Sequence, residues 1–171
     1  KITIDSSTLM NKGFEVIEAS HLFGVPGNKI DVIIHRESII HSMVEYVDNS
    51  VIAQLSVPDM RHCVQYALEL PERCEAVIPA LNLPQIGKLT FAEPDEDTFI
   101  PLKLARESLS LGGSASAVLH SANEVAVHKF LEGKIRFIDI FETIEYIREE
   151  MKRASTRTTL EEIISSVDTA A

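Results

Sequence analysis

A dense set of polar side chains marks the start of the chain, in residues 5–16, which read DSSTLMNKGFEV. Asn11 and Glu15 are four residues apart, so they share one face of a predicted helix, with Lys12 beside them. A helix start needs one or two capping side chains, and its first turn favours acidic residues over lysine. This segment therefore carries more polar chemistry than folding requires, and we treat it as a candidate binding site.

The chemistry that this segment predicts is the binding of an anion and a cation. A strand, a polar loop and a helix N-terminus form an anion site, because the first amides of a helix are unpaired and its dipole favours negative charge. The hydroxyls of residues 6–8 would add donors, Lys12 would add a positive charge, and Gly13 would let a ligand approach the backbone. Glu15 offers carboxylate oxygen, which suits a hard divalent cation or a sugar hydroxyl.

A purely structural interpretation of the same residues stays open at this point. A capped helix with a solvated Lys12–Glu15 ion pair would gain roughly a few tenths of a kcal/mol from that pair. Short motifs often match by chance, so the pattern alone favours this interpretation.

Three further features also favour structural roles on pattern alone. His35 and His41 flank a turn between two predicted strands and are typical of hydrogen-bonded structural histidines. Met60 opens a predicted helix at a spacing typical of core methionines. Residues 121–124, which read SANE, lie inside a predicted helix and could form either an interdomain patch of hydrogen bonds or a solvated face, and the pattern favours a structural role.

The composition is that of a globular protein. Hydrophobic residues make up 45% and charged residues 25% of the 171 residues. The net charge of −10 argues against nucleic acid or an anionic membrane as a partner, and no apolar run is long enough to span a membrane. Cys63 and Cys74 form neither a CxxC pair nor a disulfide framework, which fits a reducing compartment.

Hydrophobic periodicity and turn residues predict the elements of the first 100 residues. Strands are expected at 1–4, 29–35, 41–48 and 50–57, with Asp48-Asn49 as a hairpin turn between the last two. Helices are expected at 9–23, closed by Gly24, and at 58–70, closed by Pro71. Prolines then punctuate residues 71–100, which read as a linker with a short strand at 88–91.

Everything beyond this linker reads as helical. The predicted helices are 102–111, 116–131, 138–151 and 158–171, and short loops between them suggest a four-helix bundle. The predicted class is therefore α+β: part of a mixed β-sheet domain with flanking helices, followed by an all-α four-helix bundle. The corresponding domains are 1–70, a linker at 71–100, and 101–171.

Several blocks of the sequence, in order, resemble one enzyme family. The blocks are KITIDSSTLMNKGFEVIEA, IIHRESIIHSMVEY, SVIAQLSVPDM, KLTF and HSANEVAV. They are similar to the 1-deoxy-D-xylulose 5-phosphate reductoisomerase family, the NADPH- and metal-dependent enzymes of the methylerythritol phosphate route to isoprenoids. The similarity runs from Lys1 nearly to the end of the chain, and its first block is the most specific.

The resemblance implies roles for four residues of the opening segment. Ser6, Asn11 and Lys12 would hold the substrate phosphate, and Glu15 would be a ligand of the catalytic magnesium or manganese. Glu15 and Lys12 would be the catalytic residues of this chain. The resemblance also implies that His41 and Met60 line the substrate pocket.

The family reaction rearranges the sugar skeleton by a retro-aldol and aldol sequence, and NADPH then reduces the resulting aldehyde to 2-C-methyl-D-erythritol 4-phosphate. The family's NADPH-binding domain and its other metal ligands have no counterpart here, so we expect no cofactor-binding residues and no activity in this chain alone. The resemblance implies a sugar phosphate as the small-molecule partner, a homodimer, and a location in the bacterial cytoplasm or the plastid stroma.

Two alternatives compete with a portion of a reductoisomerase. The first is a stand-alone module that binds a sugar phosphate or another anion without catalysis. The second is a structural protein, in which the strands of residues 29–57 form a homodimer interface and the polar segment only caps a helix.

Overall fold

The computed structural model describes residues 1–156, which form helices and one antiparallel sheet of two strands. The helices of these described residues are α1 (Ile2–Ser7), α2 (Met10–Phe23), α3 (Arg61–Glu69), α4 (Leu83–Ile86), α5 (Ile100–Leu111), α6 (Ala115–Leu131), α7 (Phe137–Tyr146) and α8 (Arg148–Ala154). The strands are β1 (Ile40–Glu45) and β2 (Val51–Leu55). The predicted α+β class is confirmed. Within residues 1–156, no helix combines the length and apolar character that crossing a membrane requires.

The described residues divide into two compact units. The first contains residues 1–32 together with the residues from Pro94 onward, and the second contains Ile33–Glu93. Residues 1–32 thus pack with the helical part of the chain, although they were predicted to share a domain with residues 33–70. The predicted domains 1–70 and 101–171, with the linker at 71–100, stay a prediction.

The core of the first unit is apolar and comes from α2 and α5–α8. The predicted helices 9–23, 102–111 and 116–131 are confirmed as α2, α5 and α6, because their apolar residues recur at helical spacing and meet in this core. Gly24 and Gly112 follow α2 and α5 with positive φ values of 63° and 72°. The largest fully buried core side chains include Met10, Leu104, Leu119, Ile140, Ile144 and Met151.

Gly13 is a packing residue of this core. A Cβ atom added to Gly13 would lie 2.6 Å from the Cβ atom of Ala105, so α2 and α5 approach each other closely at this point. Gly13 is itself buried. The prediction that Gly13 opens the backbone to a ligand is therefore wrong, since the missing side chain makes room for α5.

We expect Gly13→Ala to lower the free energy of unfolding by about 1–3 kcal/mol, because the added methyl group overpacks the contact with Ala105. Urea unfolding of the chain measures this loss. The matched control is the same substitution on an Ala105→Gly background, where the opposing methyl group is absent and the penalty should be small. An equal penalty on both backgrounds would contradict the contact.

Three predicted strands are absent from the described residues. Residues 1–4 lie mostly in α1, where Ser7 Oγ donates to the carbonyl of Thr3 at 2.8 Å and helps to turn the chain. Residues 29–35 and 88–91 do not form strands, and the only ladder pairing near them within residues 1–156 is one isolated bridge between Ile34 and Ala92, the residue after the second segment. These strands were predicted from their β-branched residues, but such residues favour a strand only where a neighbouring strand pairs with it.

The helical part also differs from the prediction in one place. The predicted helix 138–151 is two helices, α7 and α8, which are separated at Ile147. Ile147 is buried in the core, so the break lets both helices keep their apolar faces inward. The predicted helix 158–171 lies outside the described residues.

The hairpin of the second unit follows the prediction closely. β1 and β2 pair antiparallel, as expected for strands 41–48 and 50–57, and both are shorter than predicted. The turn contains Asp48 and Asn49: Asn49 has a φ of 63°, and Asp48 Oδ1 accepts a hydrogen bond from the backbone N–H of Ser50 at 3.0 Å. The predicted helix 58–70 is confirmed as α3, and it is shorter than predicted.

Candidate functional site

Three of the predicted site residues meet on one face of α2. Glu15 accepts hydrogen bonds at both carboxylate oxygens, from Asn11 Nδ2 at 2.7 Å and from Lys12 Nζ at 2.5 Å. The side chains of Lys12 and Glu15 are 44% and 46% exposed, so the ion pair is open to solvent. The expectation that Asn11, Lys12 and Glu15 share a face is confirmed. We call these three residues the α2 triad.

The surroundings of the α2 triad differ from the predicted strand and polar loop. α2 starts directly after Leu9, which adopts a left-handed conformation with a φ of 60°. Ser7 donates its hydroxyl back to carbonyls within α1, and the buried Thr8 hydroxyl donates to the carbonyl of Asp5 at 3.2 Å. The hydroxyls of Ser7 and Thr8 therefore bind backbone carbonyls of α1. The predicted phosphate ligand Ser6 lies exposed on α1.

A buried polar network lies beneath this segment, and the sequence did not predict it. Asp5 and Asn123 are 3% and 0% exposed, and Asn123 Nδ2 donates to Asp5 Oδ1 at 2.9 Å. Lys1 Nζ lies 3.1 Å from the other Asp5 oxygen and also pairs with Glu124. The hydrogen bond to Glu124, together with Asp5, raises the pKa of Lys1. The network joins α1 to α6, and the only advance signal was a set of polar residues inside the predicted helix.

His41 and Met60 lie in the second unit. His41 is exposed at the start of β1, with its Nδ1 3.5 Å from Ser56 Oγ. Met60 is 75% exposed directly before α3, so its interpretation as a core methionine is wrong. Hydrogen bonds from its neighbour Arg61 lower the pKa of Asp59 to about 2. The role of His41 and Met60 in lining the substrate pocket stays a prediction.

The residues of this chain can provide one ligand for a divalent cation at the α2 triad. Within residues 1–156, no group of three or more His, Cys, Asp or Glu side chains is arranged to hold a metal ion. The Glu15 carboxylate has the donor chemistry that a hard cation prefers. Each of its oxygens accepts one hydrogen bond, so a cation would share the carboxylate with Asn11 and compete for it with the Lys12 ammonium.

Glu37 in the second unit carries a strongly shifted pKa. Its carboxylate accepts hydrogen bonds from the Thr90 hydroxyl at 2.7 Å and from the Thr90 backbone N–H at 3.0 Å. These bonds stabilise the ionised carboxylate and lower the pKa of Glu37 to about 2. Glu37 therefore joins residues 34–39 to the segment around Thr90.

We expect this link to weaken in acid. Because the pKa of Glu37 falls from 4.5 to about 2 on folding, its contribution to stability is complete above pH 4.5 and is lost as the pH falls towards about 2. Thr90→Val should therefore make the free energy of unfolding less dependent on pH in this interval. Thr156→Val is the control, because the Thr156 hydroxyl donates to a backbone carbonyl. An unchanged pH dependence in Thr90→Val would contradict the assignment.

Family models place the chain among the C-terminal domains of a sugar-phosphate reductoisomerase. A model described as DXP reductoisomerase C-terminal domain matches residues 55–171. A second, described as 1-deoxy-D-xylulose 5-phosphate reductoisomerase C-terminal domain, matches residues 1–23. The match to residues 1–23 includes the whole α2 triad.

Curated relatives and solved structures agree with these models. The 1-deoxy-D-xylulose 5-phosphate reductoisomerase of Chlorobium chlorochromatii is 59% identical over 145 residues, which are 85% of this chain and 38% of the relative. That of Caldanaerobacter subterraneus subsp. tengcongensis is 57% identical over 166 residues, which are 96% of this chain and 43% of the relative. The chain belongs to the 1-deoxy-D-xylulose 5-phosphate reductoisomerase family. It spans about two-fifths of the length of these relatives.

Solved structures of this family contain the expected ligands. The reductoisomerase of Zymomonas mobilis in complex with NADPH matches with a TM-score of 0.90 and 41% identity, covering 99% of this chain and 44% of that one. A DOX-P reductoisomerase with fosmidomycin and magnesium matches with a TM-score of 0.92, 41% identity and the same coverage. These matches confirm the family resemblance, and they do not favour a stand-alone anion-binding module.

Proposed function

We propose that this chain provides the phosphate end and one metal ligand of a 1-deoxy-D-xylulose 5-phosphate reductoisomerase. The whole enzyme would isomerise 1-deoxy-D-xylulose 5-phosphate and reduce the product with NADPH to 2-C-methyl-D-erythritol 4-phosphate. The observation that carries the proposal is the α2 triad, which presents an ammonium, an amide and a carboxylate on one face of a helix. Family membership supports this chemistry over a simple surface ion pair.

Lys12 and Asn11 would bind the substrate phosphate. Lys12 Nζ and Asn11 Nδ2 are donors that lie in the first turn of α2, where the helix dipole also favours an anion. Ser6 would add a hydroxyl from α1. Binding energy at the phosphate, remote from the reacting carbons, would orient the substrate for reaction.

Glu15 would bind the divalent ion, magnesium or manganese. When bound, such an ion stabilises the negative charge that develops on the substrate oxygens during the rearrangement. A cation on Glu15 would replace the hydrogen bond from Lys12 and leave that ammonium available to the phosphate. NADPH and the remaining metal ligands would be held outside residues 1–171.

We also propose a homodimer in a reducing compartment, the bacterial cytoplasm or the plastid stroma. Exposed apolar side chains on the hairpin, including Val44, Val51 and Ile52, are consistent with a covered surface in the assembled enzyme. Cys63 and Cys74 are both free and exposed, which is consistent with reducing conditions.

The direct test is a chimera in which the unmatched N-terminal part of the Chlorobium chlorochromatii relative precedes Lys1. We expect the chimera to oxidise NADPH when it is given 1-deoxy-D-xylulose 5-phosphate and magnesium, and we expect the isolated chain not to do so. A correctly folded chimera without activity would contradict the proposal.

A sensor of sugar phosphates would behave differently. Calorimetry of the chimera with the substrate, in the absence of NADPH, separates the two functions. Affinity that rises with magnesium and loses this rise in Glu15→Gln supports the enzyme. Affinity that is unaffected by the metal supports a sensor.

A further inference from the structure

His35 is the central residue of a hydrogen-bonded cluster in the second unit. We call this cluster, which consists of His35, Glu37, Ile39 and Thr90, the clasp. The His35 side chain is 7% exposed, and its Nδ1 lies 2.9 Å from the carbonyl oxygen of Thr90 and 3.1 Å from Glu37 Oε2. Its ring stacks on Phe91 with 4.9 Å between the centroids. Its Nε2 accepts a hydrogen bond from the backbone N–H of Ile39 at 3.2 Å. Because Nε2 is the acceptor, the proton of the neutral ring lies on Nδ1, facing two oxygens.

The clasp closes a strained turn. Ser38 N–H donates to the carbonyl of His35 at 3.2 Å, and Ser38 has a φ of 51°, in the left-handed region that a non-glycine residue rarely adopts. The next residue, Ile39, is bound by the His35 ring on its N–H and by the backbone N–H of Ser56 on its carbonyl, at 3.0 Å. His35 therefore fixes the residue from which β1 departs.

His41 lies at an irregularity two residues further along. Ile40 pairs with Leu55 and Ser42 pairs with Gln54, so His41 is the extra residue of a β-bulge in β1. A bulge bends its strand and re-aims the side chain that it carries. The direction of the His41 ring thus depends on where the strand is anchored before the bulge, and the His35–Ile39 hydrogen bond is one of the two bonds that hold Ile39 there.

We propose that His35 is a positioning residue for His41. Glu37 and Thr90 hold the His35 ring by hydrogen bonds, the ring binds the N–H of Ile39, and Ile39 sets the bulge that directs the His41 imidazole out of the hairpin. The proposal rests on the proposed function, in which His41 lines the substrate pocket. His35 itself is buried and would not touch the substrate.

The test compares substitutions that break the clasp with one that only removes packing. His35→Phe keeps a ring against Phe91 and loses both nitrogens, whereas His35→Gln keeps an acceptor for Ile39. Phe91→Leu removes the stacking alone. NMR of the isolated chain, with the His41 ring signals assigned by His41→Gln, reports the position of that ring without any need for activity.

We expect His35→Phe to shift the His41 ring signals and His35→Gln to restore them partly. Phe91→Leu should lower the melting temperature and leave these signals in place. In an active chimera, His35→Phe should lower kcat/KM about 10- to 100-fold, as expected for a misplaced contact group. Thr90→Val weakens the clasp and should shift the His41 ring signals less, in the same direction. This variant replaces His35→Phe in the test if His35→Phe does not fold.

Equal signal shifts in His35→Phe and Phe91→Leu would overturn the proposal, since they would show a loss of packing alone. Unshifted His41 signals in His35→Phe would overturn it as well. An inactive chimera would contradict the proposed function. The NMR readout needs no substrate, so the His41 ring signals test the coupling between His35 and His41 separately.

Discussion

Glu15→Gln in the chimera is expected to lower reductoisomerase activity by at least about 10²-fold, the usual effect of losing one preorganised electrostatic group. Glutamine keeps the size of the side chain and an oxygen that Asn11 can reach, but it removes the negative charge that a hard cation requires. Steady-state NADPH oxidation over a range of magnesium concentrations measures the effect. The apparent requirement for the metal should rise together with the loss of rate.

The loss should not arise from unfolding. The Lys12–Glu15 pair is close to half exposed, and such pairs contribute at most about 1 kcal/mol. Glu18→Gln is the matched control, because Glu18 is an exposed acid on the same helix and belongs to none of the predicted sites. Wild-type activity in Glu15→Gln, or an equal loss of activity in Glu18→Gln, would contradict the assignment of Glu15 as a metal ligand.

Asn123→Asp is expected to reduce the free energy of unfolding by about 3–5 kcal/mol, because it places a second carboxylate against the buried Asp5. Asn123→Ala should reduce it by about 1–3 kcal/mol, since it only leaves Asp5 Oδ1 without its donor. Urea unfolding of the isolated chain measures both losses.

The exchange of the two side chains provides the control. Asp5→Asn combined with Asn123→Asp restores one amide and one carboxylate across the same contact. The double variant should therefore be more stable than Asn123→Asp alone. Independent, additive effects of the two substitutions would show that the hydrogen bond between α1 and α6 does not stabilise the fold.

Local patterns predicted those elements whose partners lie within the same few residues. α2, α5 and α6 follow from apolar spacing and a closing glycine, and the hairpin follows from Asp48-Asn49. The α2 triad was predictable for the same reason, because residues three and four apart on a helix must face one another.

Distant contacts decided the features that the sequence did not predict. The first four residues look like a strand, but Asp5 in the same segment bonds to Asn123, 118 positions away, and the segment is mostly helical. Gly13 looked like an opening for a ligand because the opposing Ala105 lies on another helix. The bulge at His41 depends on the register of β1 against β2, which residue types alone do not specify.

We propose that the α2 triad binds a phosphate beside a divalent ion. Amide NMR of the isolated chain tests it, with inorganic phosphate and manganese titrated in turn. We expect phosphate to shift the backbone amides of Asn11 and Lys12, Lys12→Ala to abolish these shifts, and manganese to broaden signals around Glu15. Shifts confined to other lysines, such as Lys129 and Lys134 near the end of α6, with no response from α2, would contradict it.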